Sequence, residues 1–408
     1  MKRILMGFMA IMLLILSACG DSSNGAGGDG DIKIGALFPL TGDLALLGEE
    51  SFRGVELAVE EFNENGGLDG REVKIVKGDA VDPDDAQAEA NRLINQENIQ
   101  TIVGSYSSGI AFAASEVAER NDALFWELGA VADNITDRGY ESLIRINPPA
   151  SMFSVVHINF IKNVIADELG KDVSDLKVAI AHEDSSYGTT IADEAEKLAK
   201  EEGINIVSSQ PYSSSSNDLS SVILNIKKAE PDVLITVSYA NDAILISRQM
   251  SELNVDVPVF IGSGGGHTLT DFVDAVGDRA EGILNVDFPQ YNIDREATPG
   301  MDEFLAAYEE KYGSEPRSGH SLANYMGMKV ILDVLVETDG STDPETLRAA
   351  ALDHKVEKGT TATGWGVDID DATGQNSASE PYVHQWRDGE LITVYPEELA
   401  IDEAKIKK

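Results

Sequence analysis

Ile32–Phe38 (IKIGALF) is a short apolar run, and the segments after it set the pattern of the chain. Gly48–Glu64 places Phe52, Val55, Leu57, Ala58, Val59 and Phe62 close to helical spacing. Val73–Val76 reads as a strand, Pro83–Asn95 as a helix with proline in its first turn, and Thr101–Val103 as a strand. Ile110–Arg120 reads as a helix and Ala123–Leu128 as a strand. Strands alternating with helices predict an α/β fold, a parallel sheet covered on both faces.

The pattern pauses at Asn147-Pro148-Pro149, where prolines fit a crossover between domains, and then restarts. Strands are expected at Leu176–Ala181, Ile204–Ser208, Val233–Val237 and Val257–Ile261, with helices at Thr189–Glu202, Asp218–Ala229 and Asp242–Leu253 between them. Beyond Gly282 the pattern changes. One strand, Ile283–Asp287, precedes long helical stretches at Pro299–Tyr312 and Ser321–Glu337. Two β-like runs, Tyr382–Trp386 and Leu391–Val394, flank Arg387-Asp388-Gly389-Glu390, whose Asp-Gly pair predicts a hairpin.

Lys2 and Arg3 precede an apolar run from Ile4 to Leu16, too short to span a bilayer comfortably and typical of a secretory leader. The run ends in Leu16-Ser17-Ala18-Cys19, the only cysteine of the chain. Small residues before a cysteine resemble a bacterial lipoprotein cleavage box. That resemblance implies removal of residues 1–18, lipid on Cys19, and a body held on the extracytoplasmic face of the cell membrane. Residues 19–31 read as a flexible tether, since Asp21–Gly30 (DSSNGAGGDG) is rich in glycine and serine.

The chain has 408 residues, room for two to three domains, and a formal net charge of −40. So acidic a chain repels phosphates, which argues against a nucleic-acid partner and against docking on anionic lipid through a basic face. One cysteine excludes a disulfide framework and a cysteine-based metal cluster.

Catalytic and metal motifs fail. There is no phosphate loop and no nucleophile elbow, and the glycine-rich Gly262–His267 breaks the dinucleotide fingerprint at His267. Ser174-Asp-Leu-Lys177 lacks companion motifs and reads as a turn. Asp368-x-Asp370-Asp371 fits a calcium loop poorly and also reads as a turn, and the six histidines form no metal-ligand pair. We expect no enzyme activity, no cofactor and no metal.

Binding features are stronger. Ligands of α/β sheets sit beyond the carboxyl ends of strands. Three such edges are rich in small and polar groups. Gly104–Gly109 (GSYSSG) opens a helix, whose free N–H donors and partial positive charge let Ser107 or Ser108 hold a carboxylate; an N-cap serine is the plain alternative. Glu127–Val131 lets backbone approach a ligand closely. Gly262–His267 lies on the other lobe, where Tyr187 and Tyr239 also follow strands and suit a closing cleft.

These edges, with IGALFPLTGDLALLGEESFRGVELAVEEFNENGGLDGR (34–71), IVGSYSSGIAFAAS (102–115) and AIAHEDSSYG (179–188), resemble the bacterial solute-binding proteins typified by the leucine/isoleucine/valine-binding proteins of ABC importers. The resemblance runs from Ile32 to about Val394. It implies two Rossmann-like lobes joined by a three-crossover hinge, the type I periplasmic binding fold. Lobe 1 is then expected at 32–148 and again at 287–380, and lobe 2 at 149–286 with a C-terminal segment at 381–408. It further implies a monomer that captures a small ligand, an amino acid or related carboxylate, and delivers it to ABC permease subunits. Ser108 matches the family's carboxylate-holding serine, Tyr106 the adjacent backbone contact, and Gly129 and Ala130 the small residues beneath the ligand. Tyr187 and Tyr239 match the aromatic contacts of the second lobe.

Three departures stand out. Leu128-Gly129-Ala130-Val131 replaces the family's Pro-Gly-Ala-Thr, removing a hydroxyl, and Leu47 replaces a pocket tyrosine. Gly264 stands where amino-acid binders keep an acid for the ligand ammonium. Either Glu127 or another acid takes that role, or the ligand has no α-amino group. A sensory lobe serving a signalling partner and a hydrolase are the readings from other classes.

Overall fold

The computed structural model describes residues 30–406. The leader, Cys19 and most of the tether lie outside the described residues. The first part alternates β1 (Ile32–Phe38), α1 (Ala45–Glu64), β2 (Val73–Asp79), α2 (Pro83–Asn95), β3 (Thr101–Gly104), α3 (Ser108–Arg120), β4 (Leu124–Glu127) and β5 (Leu143–Arg145). The five strands form one parallel sheet in the order β2-β1-β3-β4-β5. Every residue of β1 except Lys33 is buried, because helices cover both faces of the sheet. Ile34, Ala36 and Phe38 join the core shared with α1, while Leu37 packs with Ala90 of α2 and Ala114 of α3. Asp82 caps α2, accepting the N–H groups of Asp84 and Asp85 at 2.9 Å each, and Pro83 fills the position that needs no donor.

The second part runs α4 (Ala150–Phe160), a π-helical turn, α5 (Ala166–Leu169), β6 (Lys177–Glu183), α6 (Ser186–Glu202), β7 (Asn205–Tyr212), α7 (Ser220–Ala229), β8 (Val233–Val237), α8 (Ala240–Glu252), β9 (Val259–Ser263), α9 (Thr270–Val276) and β10 (Leu284–Asp287). Then come α10 (Met301–Tyr312), α11 (His320–Glu337) and α12 (Pro344–Asp353), followed by β11 (Tyr382–Arg387) and β12 (Glu390–Tyr395). The second sheet has the order β12-β11-β10-β9-β8-β6-β7. It is parallel except where β11 runs antiparallel to β10 and β12 to β11. The expected hairpin is there, with Asp388 and Gly389 at φ 51° and 83°, as a tight two-residue turn requires. Among the described residues no helix is long and apolar enough to cross a membrane.

The chain passes between the sheets three times. It leaves β5 through Ile146–Pro149 into α4, which packs on α6 and β10. It leaves β10 toward α10 and α11, which lie on α1. The approach of α11 is so close that a Cβ on Gly54 of α1 would sit 2.0 Å from the Ser321 carbonyl oxygen. It returns to β11 alongside the first crossing: Arg145 N–H donates to Gly374 O at 2.8 Å, and Asn376 N–H to Arg145 O at 2.8 Å.

The expected α/β architecture of two parallel-dominated lobes is present. Five elements escaped the sequence reading: β5, α4, α5, α9 and α12. Most of the side chains around α4 (ASMFSVVHINF) are apolar, so it shows no polar–apolar contrast for periodicity to detect.

Candidate ligand-binding cleft

The C-terminal ends of β3 and β4 carry two loops that meet at the start of α3. Glu127, the last residue of β4, holds them together from below. Its Oε1 accepts the N–H groups of Ser105, Gly129 and Ala130 at 2.8, 2.7 and 2.6 Å, and its Oε2 accepts the Ser105 hydroxyl at 3.0 Å. Burial pushes the Glu127 carboxyl pKa up, against the pull of these donors. Ser108 is the first residue of α3, and its Oγ accepts the Ala132 N–H at 3.2 Å, which leaves the hydroxyl proton free to donate.

Facing this edge are the ends of β6, β8 and β9. Tyr187 donates its hydroxyl to the Ser263 carbonyl at 2.7 Å. The rings of Tyr187 and Tyr239 lie 5.1 Å apart, and Tyr239 meets Tyr106 of the first lobe at 5.9 Å, edge to face. Burial raises the pKa of all three phenols, so they stay protonated and can donate. Gly264 has φ 71° and ψ −173°, a conformation open to glycine, and a Cβ there would meet Tyr187 Oη at 2.0 Å.

The two edges enclose one cavity, with about 20 Å³ of free space, roughly enough for one water. Tyr106, Ser108, Gly129, Tyr187, Tyr239 and Gly264 all line the cavity. Asp287 and His320 line it as well, from the end of β10 and the start of α11. Asp287 Oδ2 accepts the Thr268 hydroxyl at 2.9 Å, whereas its Oδ1 and both ring nitrogens of His320 have no hydrogen-bond partner among the described residues.

Residues 31–390 match the family model described as periplasmic binding protein. The chain belongs to that family. Among relatives of this periplasmic binding protein is the Leu/Ile/Val-binding protein homolog 7 of Brucella suis, 45% identical over 395 residues, covering 97% of this chain and 98% of the relative. The Leu/Ile/Val-binding protein homolog 8 of Brucella abortus is 43% identical, covering 93% of this chain and 94% of the relative. Among solved structures, the branched-chain amino acid transporter substrate binding protein LivJ of Streptococcus pneumoniae, in complex with isoleucine, superposes with a TM-score of 0.76 at 22% identity. It covers 92% of this chain and all (100%) of that one, and shows the shared fold. An ABC transporter solute binding protein of R. palustris, in complex with 4-hydroxybenzoate, has a TM-score of 0.76 at 25% identity, covering 90% of this chain and 95% of that one.

Three expected site residues of the binding protein do not line the cavity. Glu127 is turned under the loops, with both oxygens occupied as described. Ala130 lies behind the lining, its N–H on Glu127 and its carbonyl accepting Asn147 Nδ2 at 3.0 Å. Ser107 precedes α3, makes no side-chain cap bond and is absent from the lining. Val131 and Gly265 line the cavity within the expected edges, and residues the sequence reading missed are Phe153, Asp287, Phe288 and His320. Of these, Asp287 carried a usable signal, being an acid at the carboxyl end of an expected strand.

Proposed function

We propose that this protein is the receptor of an ABC importer, anchored by lipid on Cys19 outside the cytoplasm after loss of residues 1–18. It captures an amino acid of the branched-chain type, or a related small carboxylate, between a lobe built from 32–148 and 287–380 and a lobe built from 149–286 and 381–408. It delivers the solute unchanged to membrane permease subunits and works as a monomer, without cofactor, metal or nucleic acid. The observation that carries this reading is the cavity in which Ser108, at the start of α3, faces Tyr187 and Tyr239 of the opposite lobe. A hydroxyl and free helix N–H groups suit a carboxylate, and tyrosines suit a clamp that opens and closes. The names of the Brucella relatives support a branched-chain solute. The R. palustris neighbour, with its 4-hydroxybenzoate, favours the second reading of a carboxylate without an amino group.

Equilibrium dialysis against labelled leucine, with 2-oxo acids and 4-hydroxybenzoate as competitors, tests this function. The expected result is one solute per protein, recovered chemically intact after long incubation. Conversion of the solute would make the protein an enzyme, and failure of every small carboxylate to bind would overturn the reading.

A further inference from the structure

Buried polar atoms in folded proteins nearly always have a partner, so those without one need an explanation. Asp287 is fully buried at 0% exposure and His320 nearly so at 3%, and both face the cavity. Their nearest approach, His320 Nε2 to Asp287 Oδ1, is 3.7 Å, too long for a hydrogen bond. The rings of Phe288 and Tyr106 hold the imidazole, with centroids 4.7 and 5.3 Å away.

Two other buried acids near the cleft are already consumed, and a third, Asp242, takes the Tyr212 hydroxyl at 2.7 Å and does not line the cavity. Glu127 is saturated by Ser105, Gly129 and Ala130. Glu183 accepts Ser185 N–H at 2.8 Å, Ser185 Oγ at 2.7 Å and Gly188 N–H at 2.6 Å. Gly264 offers no acid, and a side chain there would displace Tyr187, whose Oη lies 2.0 Å from where the Cβ would sit. Among the described residues, Asp287 is the one carboxylate lining the cavity.

We propose that Asp287 is the specificity-determining residue that takes the ammonium of the ligand on its Oδ1, with His320 offering a ring nitrogen to the same group. The inference rests on the reading that Ser108 and the start of α3 hold a carboxylate. It deepens that reading by making the solute a zwitterion. Thr268 fixes the carboxylate through Oδ2 and leaves Oδ1 without a partner among the described residues. A buried carboxylate gains most from a cation that donates a hydrogen bond to it.

The test compares wild-type protein with Asp287→Asn, which keeps the shape and an acceptor for Thr268. Both are titrated with the proteinogenic L-amino acids, the matching 2-oxo acids and 4-hydroxybenzoate. We expect wild type to bind at least one amino acid and to ignore its 2-oxo acid, and Asp287→Asn to bind that amino acid roughly 100-fold more weakly while remaining folded by circular dichroism. Equal amino-acid binding by the two proteins overturns the proposal, even if the variant melts earlier, since Asp287 would then be only a structural partner of His320. Binding of 2-oxo acids or 4-hydroxybenzoate alone overturns the proposal and leaves the carboxylate reading standing. Binding of nothing overturns both. Should Asp287→Asn not fold, the wild-type contrast between amino acid and 2-oxo acid decides.

Discussion

Both carboxylate oxygens of Glu127 bind Ser105, Oε1 through its backbone N–H at 2.8 Å and Oε2 through its hydroxyl at 3.0 Å. One acid at the end of β4 thus braces the two loops that carry Tyr106, Ser108 and Gly129. Glu127→Ala removes the acceptor for three buried N–H groups. Each unsatisfied buried donor costs about 1–3 kcal/mol, so we expect a loss of at least about 3 kcal/mol in urea unfolding, together with weaker ligand binding. An unchanged midpoint would show that the loops hold without it.

Gly264→Ala is expected to damage both stability and binding. The new Cβ would occupy a backbone conformation with φ 71° and would lie 2.0 Å from Tyr187 Oη. Tyr187 must then give up its 2.7 Å bond to Ser263 O. The melting temperature should fall, and the affinity should drop at least about ten-fold, as for loss of a buried hydrogen bond plus strain. A variant with wild-type affinity would exclude Tyr187 from the clamp.

Asp242 sets a pH dependence. Burial raises its carboxyl from 3.8 to about 7, outweighing the hydrogen bond from Tyr212. The folded state therefore favours the protonated acid, so its contribution is fully present below about pH 4 and is lost as pH rises through about 7. Asp242→Asn escapes that loss. Its stability relative to wild type should rise by about 3 kcal/mol between pH 4 and pH 8, read from chemical unfolding across that range. A difference that stays constant with pH would contradict the assignment.

Most parallel strands were legible because strands buried on two faces read as apolar runs; β1 and β8 coincide with theirs residue for residue. Helices with one apolar stripe, such as α2, were equally plain. The helix α4 was not, since most of its side chains are apolar, and β5 is only three residues long. In the cleft, Ser108, Tyr187 and Tyr239 follow strand ends and could be found from that rule. Glu127 follows the same rule and yet points beneath the loops, because local backbone donors reach it first. Asp287 and His320 meet only through the second crossing between the sheets, and no local sequence signal encodes that meeting.

Calorimetric titration of leucine into wild-type protein and Ser108→Ala, side by side, tests the central claim most directly. Ser108 lines the cavity and has its hydroxyl proton to give. Since a hydrogen bond to a charged group contributes about 1.5–3 kcal/mol, leucine should bind wild type one to one and the variant roughly ten-fold or more weakly. Equal affinity in the two proteins would remove Ser108 from the site and contradict a carboxylate held at the start of α3.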